Sequence, residues 1–152
     1  MEEFKKKNNY PSNNGFRGNS NEKENATTLF NRKTFKDSWI KEKADVDMVE
    51  YAECMGKFMA KNGLTNSKIR SIYGEIKRIQ MGTFEKEESA FLLLKPKVAY
   101  AMGRDERNEG LKLFKSIFDV SSNCVKDQKT FNNFCNFIEA IIAYHKAYGG
   151  KD

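Results

Sequence analysis

Apolar residues recur every three or four positions along most of this chain, which is the spacing of an α-helix. The clearest run is Ile69, Ile72, Tyr73, Ile76 and Ile79. Side chains with this spacing share one face of a helix. No useful stretch alternates apolar and polar residues, as a half-buried strand would. The sequence therefore predicts an all-α protein.

Short polar residues that can cap helices divide the periodic region. Such side chains accept hydrogen bonds from the free backbone N–H groups of a first turn. Helices are predicted behind Asp47, Thr65, Thr83, Asp105 and Asp127, after a short helix or anchoring turn at Phe35 and Trp39. Because proline lacks an N–H, Pro96 predicts a break and a new helix from about Pro96 to Met102. The result is a compact bundle of about five or six helices.

The first 34 residues have a different composition. They are rich in Asn, and their few apolar residues follow no helical period. Such a segment buries too little surface to offset the entropy lost on ordering. We therefore predict a disordered Asn-rich arm over residues 1–34 and a helical bundle domain over residues 35–152. Whether the arm is a basic binding element or only a tail is open.

The last predicted helix runs from Asp127 to about Tyr148 and has a wide apolar stripe. The stripe comprises Phe131, Phe134, Cys135, Phe137, Ile138, Ile141, Ile142, Tyr144 and Tyr148. It covers about half of the circumference, more than one flank of a small bundle needs. The helix is therefore either central or shares a face with another subunit. His145 falls on this stripe and is predicted to be a buried core histidine.

Residues typical of catalysis or metal binding are sparse. His145 is the single histidine, and Cys54, Cys124 and Cys135 form no CxxC pair. The acidic pairs Glu87-Glu88 and Asp105-Glu106 fall where a helix dipole favours carboxylates. No glycine-rich phosphate loop is present. We expect no enzymatic activity, no metal and no cofactor.

The chain also lacks the features of membrane or exported proteins. No apolar run approaches the roughly 20 residues that a membrane span requires. Charged residues predominate from Met1 to Lys7, and no apolar stretch follows them. A signal peptide would have such a stretch. Unpaired, widely spaced cysteines fit a reducing compartment. We expect a cytoplasmic protein without a membrane partner.

Positive charge is concentrated in the middle of the chain. The net charge is +6, and residues 54–104 alone carry ten basic and four acidic side chains. A basic surface attracts polyanions, although a solvated surface with scattered lysines is the alternative. The RNA-binding candidates are Lys68, Arg70, Lys77, Arg78, Lys95, Lys97, Arg104 and Lys146. We expect the middle helices to bring such cations onto one shared surface.

Gly74 lies among these basic residues, inside a predicted helix. An interior glycine costs a helix about 1 kcal/mol relative to alanine, so it needs a reason. A position without a side chain would let an RNA phosphate approach closely. Equally, it would let a second helix pack closely, and the sequence does not separate these two explanations.

Three stretches resemble a known protein family. They are LTNSKIR at 64–70, LKPKVAYAMGR at 94–104 and FCNFIEAIIAYHKAYGGKD at 134–152. Together they resemble the small subunit of the type III-A CRISPR effector, the Csm complex. The LTxSKIR opening and the AYxKxYGGKD ending are the most specific parts, and the Asn-rich arm lies outside the resemblance.

The resemblance implies a non-catalytic helical bundle that acts in antiviral defence. Several copies stack as a filament beside the backbone subunits that hold the guide RNA. They contact the backbone of the target RNA paired with the guide, while RNA and DNA cleavage belong to the backbone and large subunits. Lys68, Arg70 and Arg104 are then the best RNA contacts, and Lys146 is a weaker one. The alternative function is a helical protein–protein scaffold without RNA contact.

Overall fold

The computed structural model describes residues 24–150, and this part of the chain is built from helices. They are α1 (Ala26–Arg32), α2 (Ser38–Lys41), α3 (Val46–Lys61), α4 (Asn66–Gln80), α5 (Phe84–Leu92), α6 (Leu94–Gly103), α7 (Glu109–Ser122) and α8 (Gln128–Ala147). No strand occurs in the described residues, and the predicted all-α bundle is confirmed. Within the same residues, no helix has both the length and the apolar character to cross a bilayer.

Helical structure begins earlier than the sequence predicted. Helix α1 lies inside the segment assigned to the disordered arm, and its Ala26 and Leu29 are buried. The backbone N–H of Ala26 donates to Glu109 Oε1 at 2.7 Å, at the start of α7. Two apolar residues and this bond attach the short helix to the bundle, although its sequence shows little periodicity. Residues 1–23 of the predicted arm lie outside the described residues.

Three of the predicted helix caps are confirmed. The side chains of Thr65, Thr83 and Asp127 each accept a hydrogen bond from a backbone N–H in the first turn that follows. Asp127 and Thr130 complete a reciprocal capping box. These caps depend only on neighbours along the chain, which is why the sequence revealed them.

Two predicted caps are wrong, and in each case a distant contact selects another residue. Asp45, not Asp47, caps α3: its Oδ1 accepts from Met48 N and from the indole N–H of buried Trp39. Asn108, not Asp105, caps α7. Its Oδ1 accepts from Leu111 N, while its amide nitrogen donates to Gly63 O at 2.7 Å. An aspartate has no proton to donate in this second bond.

Helix α8 is the centre of the bundle. It packs against α2, α3, α4, α5 and α7. Five residues of its apolar stripe are at most 1% exposed: Phe131, Phe134, Phe137, Ile138 and Ile141. Most of the wide stripe is thus covered by helices of the same chain, so α8 is central, while Ile142, Tyr144 and Tyr148 near its C-terminal end are half-buried.

Aromatic rings form two clusters around α8. In one cluster Phe137 lies within 6.1 Å of Trp39 and Tyr51, between ring centroids. In the other cluster Phe131 and Phe134 contact Phe91 at 5.4–5.5 Å. Aromatic side chains bury large apolar areas, so these two clusters hold the shorter helices against α8.

His145 is fully buried, as predicted for a core histidine. Its Nε2 lies 2.6 Å from the carbonyl oxygen of Leu64. A carbonyl only accepts, so Nε2 carries the proton and donates. The ring thereby joins the end of α8 to the loop before α4, and Gly150 packs directly on its other edge.

The Cys135 thiol offers a simple check of the packing of α8. Burial raises its pKa to about 12. At pH 8 about one thiol in 10,000 is then ionised, and the thiolate is the reactive form. We expect iodoacetamide to modify half-buried Cys54 in the native protein and Cys135 only after unfolding, as measured by mass spectrometry. Equal native rates for the two cysteines would contradict the buried position.

Candidate nucleic-acid interface

Helix α4 presents basic residues on two opposite flanks. Lys68 and Lys77 are nine positions apart, which at about 100° per residue places them about 180° apart around the helix. Arg70 and Lys77 are seven apart and therefore share a flank. The buried isoleucines Ile69, Ile72, Ile76 and Ile79 face the core between the flanks. Each flank forms a different surface with a different neighbouring helix.

The flank with Lys68 forms a groove with α6. This α4–α6 groove has a volume of about 900 Å³. Its walls comprise Ser67, Lys68, Ser71, Ile72 and Glu75 from one side, and Leu94, Pro96, Lys97, Tyr100, Ala101, Arg104 and Asp105 from the other. Three predicted RNA-binding residues, Lys68, Lys97 and Arg104, therefore lie in one groove.

Carboxylates accompany the cations of the α4–α6 groove. Lys68 Nζ lies 3.6 Å from Asp105 Oδ2. Glu75 Oε1 lies 3.4 Å from both Lys97 Nζ and Arg78 Nη2. The hydrogen bond from Arg78, followed by the charge of Lys97, lowers the pKa of Glu75, so this carboxyl stays ionised near neutral pH. Three cations and two carboxylates leave the groove lining a net charge of +1.

The opposite flank of α4 faces α8, and we call it the α4–α8 flank. The two helices run antiparallel, since Asn66 Nδ2 donates to Gly150 O at one end and Lys77 lies close to Glu139 at the other. Arg70 lies between these two levels. Lys146 is seven residues beyond Glu139 and shares its face of α8. The α4–α8 flank thus comprises Arg70, Lys77, Glu139 and Lys146, with Gly74 at its outer edge, on the solvent-facing side of α4 opposite the buried isoleucines.

Lys77 is held in a defined position on the α4–α8 flank. Its Nζ lies 5.4 Å from the centroid of the Tyr73 ring and 3.4 Å from Gln80 Oε1. The Tyr73 hydroxyl first, and then the Glu139 carboxylate, raise the pKa of Lys77. Its ammonium group is exposed and positively charged at neutral pH.

Gly74 is open to solvent on this flank. A Cβ atom built at Gly74 would have no heavy atom within 4 Å outside the helix's own backbone. Close packing of a second helix therefore does not explain this glycine. The sequence had left two explanations open, close packing of a helix and close approach of a phosphate. Within the folded chain, the structure excludes the first.

The expectation of a single shared basic surface is wrong. Lys68, Lys97 and Arg104 line the groove, whereas Arg70, Lys77 and Lys146 belong to the opposite flank. Arg78 is bound to Glu75 and Glu87 next to the groove. Lys95 turns away from both surfaces and donates to Asn123 beyond the end of α7. Basic residues of α4 that are close in sequence face different surfaces, because a helix turns by about 100° at each residue.

Tyr100 is the residue of the groove that the sequence analysis missed. It is 67% exposed, whereas most aromatic rings in the described part of the chain are buried. The guanidinium carbon of Arg104 lies 5.8 Å from the centroid of its ring. A signal was present in the sequence: Pro96, Tyr100 and Arg104 are spaced four apart and therefore share one side of α6.

Among the described residues 24–150, no group of three or more His, Cys, Asp or Glu side chains could hold a metal ion. The arrangement offers cations, hydroxyl groups and one exposed ring, which are the parts of a binding surface. Phosphate contacts need cations, and contacts to bases need an aromatic or hydrogen-bonding group.

Comparison with known proteins gives consistent matches. A family model described as Csm2 Type III-A matches residues 42–151. A CRISPR system protein Csm2 of Streptococcus thermophilus is 29% identical over 93 residues, which are 59% of this chain and 76% of the relative. No solved structure gives a significant match.

Proposed function

Because the chain belongs to the Csm2 family of type III-A CRISPR systems and is thereby a small subunit of the effector complex, we propose that it binds RNA without catalysing a reaction. It contacts the phosphate backbone of the target RNA paired with the guide. Such contacts position a strand but carry no sequence information. The α4–α8 flank is the surface that makes them.

The open position of Gly74 is the observation that carries this proposal. Arg70 and Lys77 lie on the same flank of α4, on either side of a residue without a side chain. A phosphate can therefore come close to the helix while both cations reach its oxygens. Arg and Lys bind phosphate by charge-assisted hydrogen bonds. The space at Gly74 is otherwise unused in the chain, although the glycine weakens the helix.

The charge of the flank predicts weak binding by a single copy. The flank has three cations, Arg70, Lys77 and Lys146, beside the carboxylate Glu139, so one copy can contact only a few phosphates. We propose that further copies stack as a filament along the guide-bearing backbone subunits. Linked sites raise the overall affinity without any new type of contact. Binding should therefore be weak and salt-sensitive in isolation but strong in the complex.

Exposed apolar side chains offer contacts for the backbone and large subunits and for further copies. Met81 is 88% exposed at the end of α4, and Val46 is 72% exposed at the start of α3. Leu92 and Leu93 are 61% and 58% exposed between α5 and α6. Met81 continues the face of α4 that carries Arg70 and Lys77. Val46, Leu92 and Leu93 lie on other helices, so protein contacts through these three residues can coexist with RNA contacts on the cationic flank.

Ultraviolet crosslinking of the assembled complex with target RNA, followed by mass spectrometry, tests the proposed function. Crosslinked peptides should contain α4 and the last turns of α8. Peptides of α7, in which every residue is buried or half-buried, serve as the internal control. Crosslinks confined to α7 would place the RNA surface elsewhere. Complete absence of crosslinks in a complex that holds RNA would favour the protein–protein scaffold.

A further inference from the structure

We propose that the α4–α6 groove binds one unpaired RNA nucleotide, whose base stacks on the ring of Tyr100. This inference rests on the proposed RNA contact and adds a second kind of contact to it. The phosphates run along the α4–α8 flank, whereas the groove on the other side of α4 receives a base. Stacking on an aromatic ring is tolerant of sequence, because every base has a π-face.

The exposure of Tyr100 is the first argument. Its ring is 67% exposed, although burying an aromatic side chain is strongly favourable. In the same chain Trp39, Tyr51 and Phe91 are all at most 5% exposed. Arg104, the residue that follows α6, extends its guanidinium over the ring. A cation beside an exposed ring is the arrangement by which proteins bind unpaired bases and their phosphates.

The charge of the groove is the second argument. Its lining carries a net charge of only +1, because Glu75 and Asp105 lie within 3.6 Å of its lysines. These carboxylates compete with phosphates for the lysines and weaken the attraction of the groove for a long phosphodiester chain. A single nucleotide carries one backbone charge and a neutral base, so it suits a groove with a weak positive charge. The groove is therefore less suited than the α4–α8 flank to the path of the RNA backbone.

The shape of the groove is the third argument. Its volume of about 900 Å³ falls in the range of sites for small organic ligands, about 300 to 1,000 Å³. Buried Ile72 and Leu94 lie at its base. The exposed Ser67 and Ser71 on α4 add hydroxyl groups that donate and accept hydrogen bonds. The groove thus combines an apolar floor, one ring and a few polar groups.

Replacement of Tyr100 tests the proposal in the assembled complex. The probes are a guide-paired target RNA with one unpaired 2-aminopurine nucleotide and a matched target RNA that is fully paired with the guide. We expect Tyr100→Ala to weaken binding of the first RNA about tenfold to hundredfold, the usual contribution of one base–ring stack. Tyr100→Phe keeps the ring and should stay within about twofold of wild type. The fully paired RNA should bind equally to all three proteins.

The fluorescence of 2-aminopurine separates stacking from other roles of Tyr100. Stacking should quench the 2-aminopurine fluorescence in complexes with wild type and Tyr100→Phe, but not with Tyr100→Ala. Circular dichroism checks that all variants fold. Stacking would be overturned if Tyr100→Ala weakened the binding of both RNAs equally. It would also be overturned if Tyr100→Phe bound the unpaired RNA as weakly as Tyr100→Ala does.

Two further outcomes separate this proposal from the proposed function. Normal binding of both RNAs by Tyr100→Ala would overturn stacking alone, whereas failure of wild type to bind either RNA would overturn both proposals. A photoreactive benzoylphenylalanine at position 100 that crosslinks only to a protein subunit would assign the groove to a protein partner.

Discussion

Gly56→Ala is expected to destabilise the protein by about 3 kcal/mol, at the upper end of the usual cost of overpacking. Gly56 is the point at which α3 contacts α8 most closely. A Cβ atom at this position would lie 2.6 Å from Ile141 O and 2.8 Å from His145 N. Both are backbone atoms of the central helix, so neither can rotate away. The two helices would have to separate.

Gly74→Ala is the matched control for this prediction. Both glycines lie inside helices, so alanine gains about 1 kcal/mol of helix propensity at either position. At Gly74 the new methyl group meets no neighbour, and the variant should be about 1 kcal/mol more stable than wild type. Urea denaturation followed by circular dichroism measures both changes. Two variants with the same free energy of unfolding would contradict the close contact of α3 with α8.

Reversal of two charges on the α4–α8 flank is expected to weaken target-RNA binding by the assembled complex about 100-fold. The variant is Arg70→Glu combined with Lys77→Glu. Each charge-assisted hydrogen bond to a phosphate contributes about 1.5–3 kcal/mol, and each new carboxylate also repels the strand. Fluorescence anisotropy with labelled target RNA measures the affinity, and repeated copies in the complex would increase the effect.

The control is Lys95→Glu combined with Lys112→Glu, which changes the net charge by the same amount. Lys95 contacts Asn123, and Lys112 is paired with Glu109 beside α1, so neither lies on the flank. This variant should retain nearly full affinity. The flank variant should also show a smaller dependence of affinity on salt, since fewer phosphates are neutralised. If both variants bound equally weakly, general charge rather than this flank would control binding.

The sequence located most of the helices because their signals are local. Thr65, Thr83 and Asp127 cap helices through bonds to residues only three positions away. The cap of α3 was misplaced by two residues, since Asp45 is selected by the indole of Trp39. The break at Pro96 was found, yet α6 begins at Leu94 because proline is tolerated in a first turn.

The candidate site was only partly accessible from sequence. The sequence identified eight basic residues as RNA-binding candidates, and their binding role is still a prediction. The sequence does not show which charges face a carboxylate in space. Glu75 contacts both Arg78 on its own helix and Lys97 on α6, and the second contact joins two helices. Tyr100 was missed because an aromatic residue in an apolar stretch is usually part of the core.

The sequence by itself determined the helical class, most helix boundaries, the burial of His145 and the family of the chain. Each follows from residue spacing or from short motifs, which are properties of neighbouring residues. Only the tertiary structure decided that α8 is central, that Gly56 rather than Gly74 allows close helix packing, and that the basic residues divide between two surfaces. These properties depend on which helices pack together, and that packing is set by contacts between residues far apart in the chain.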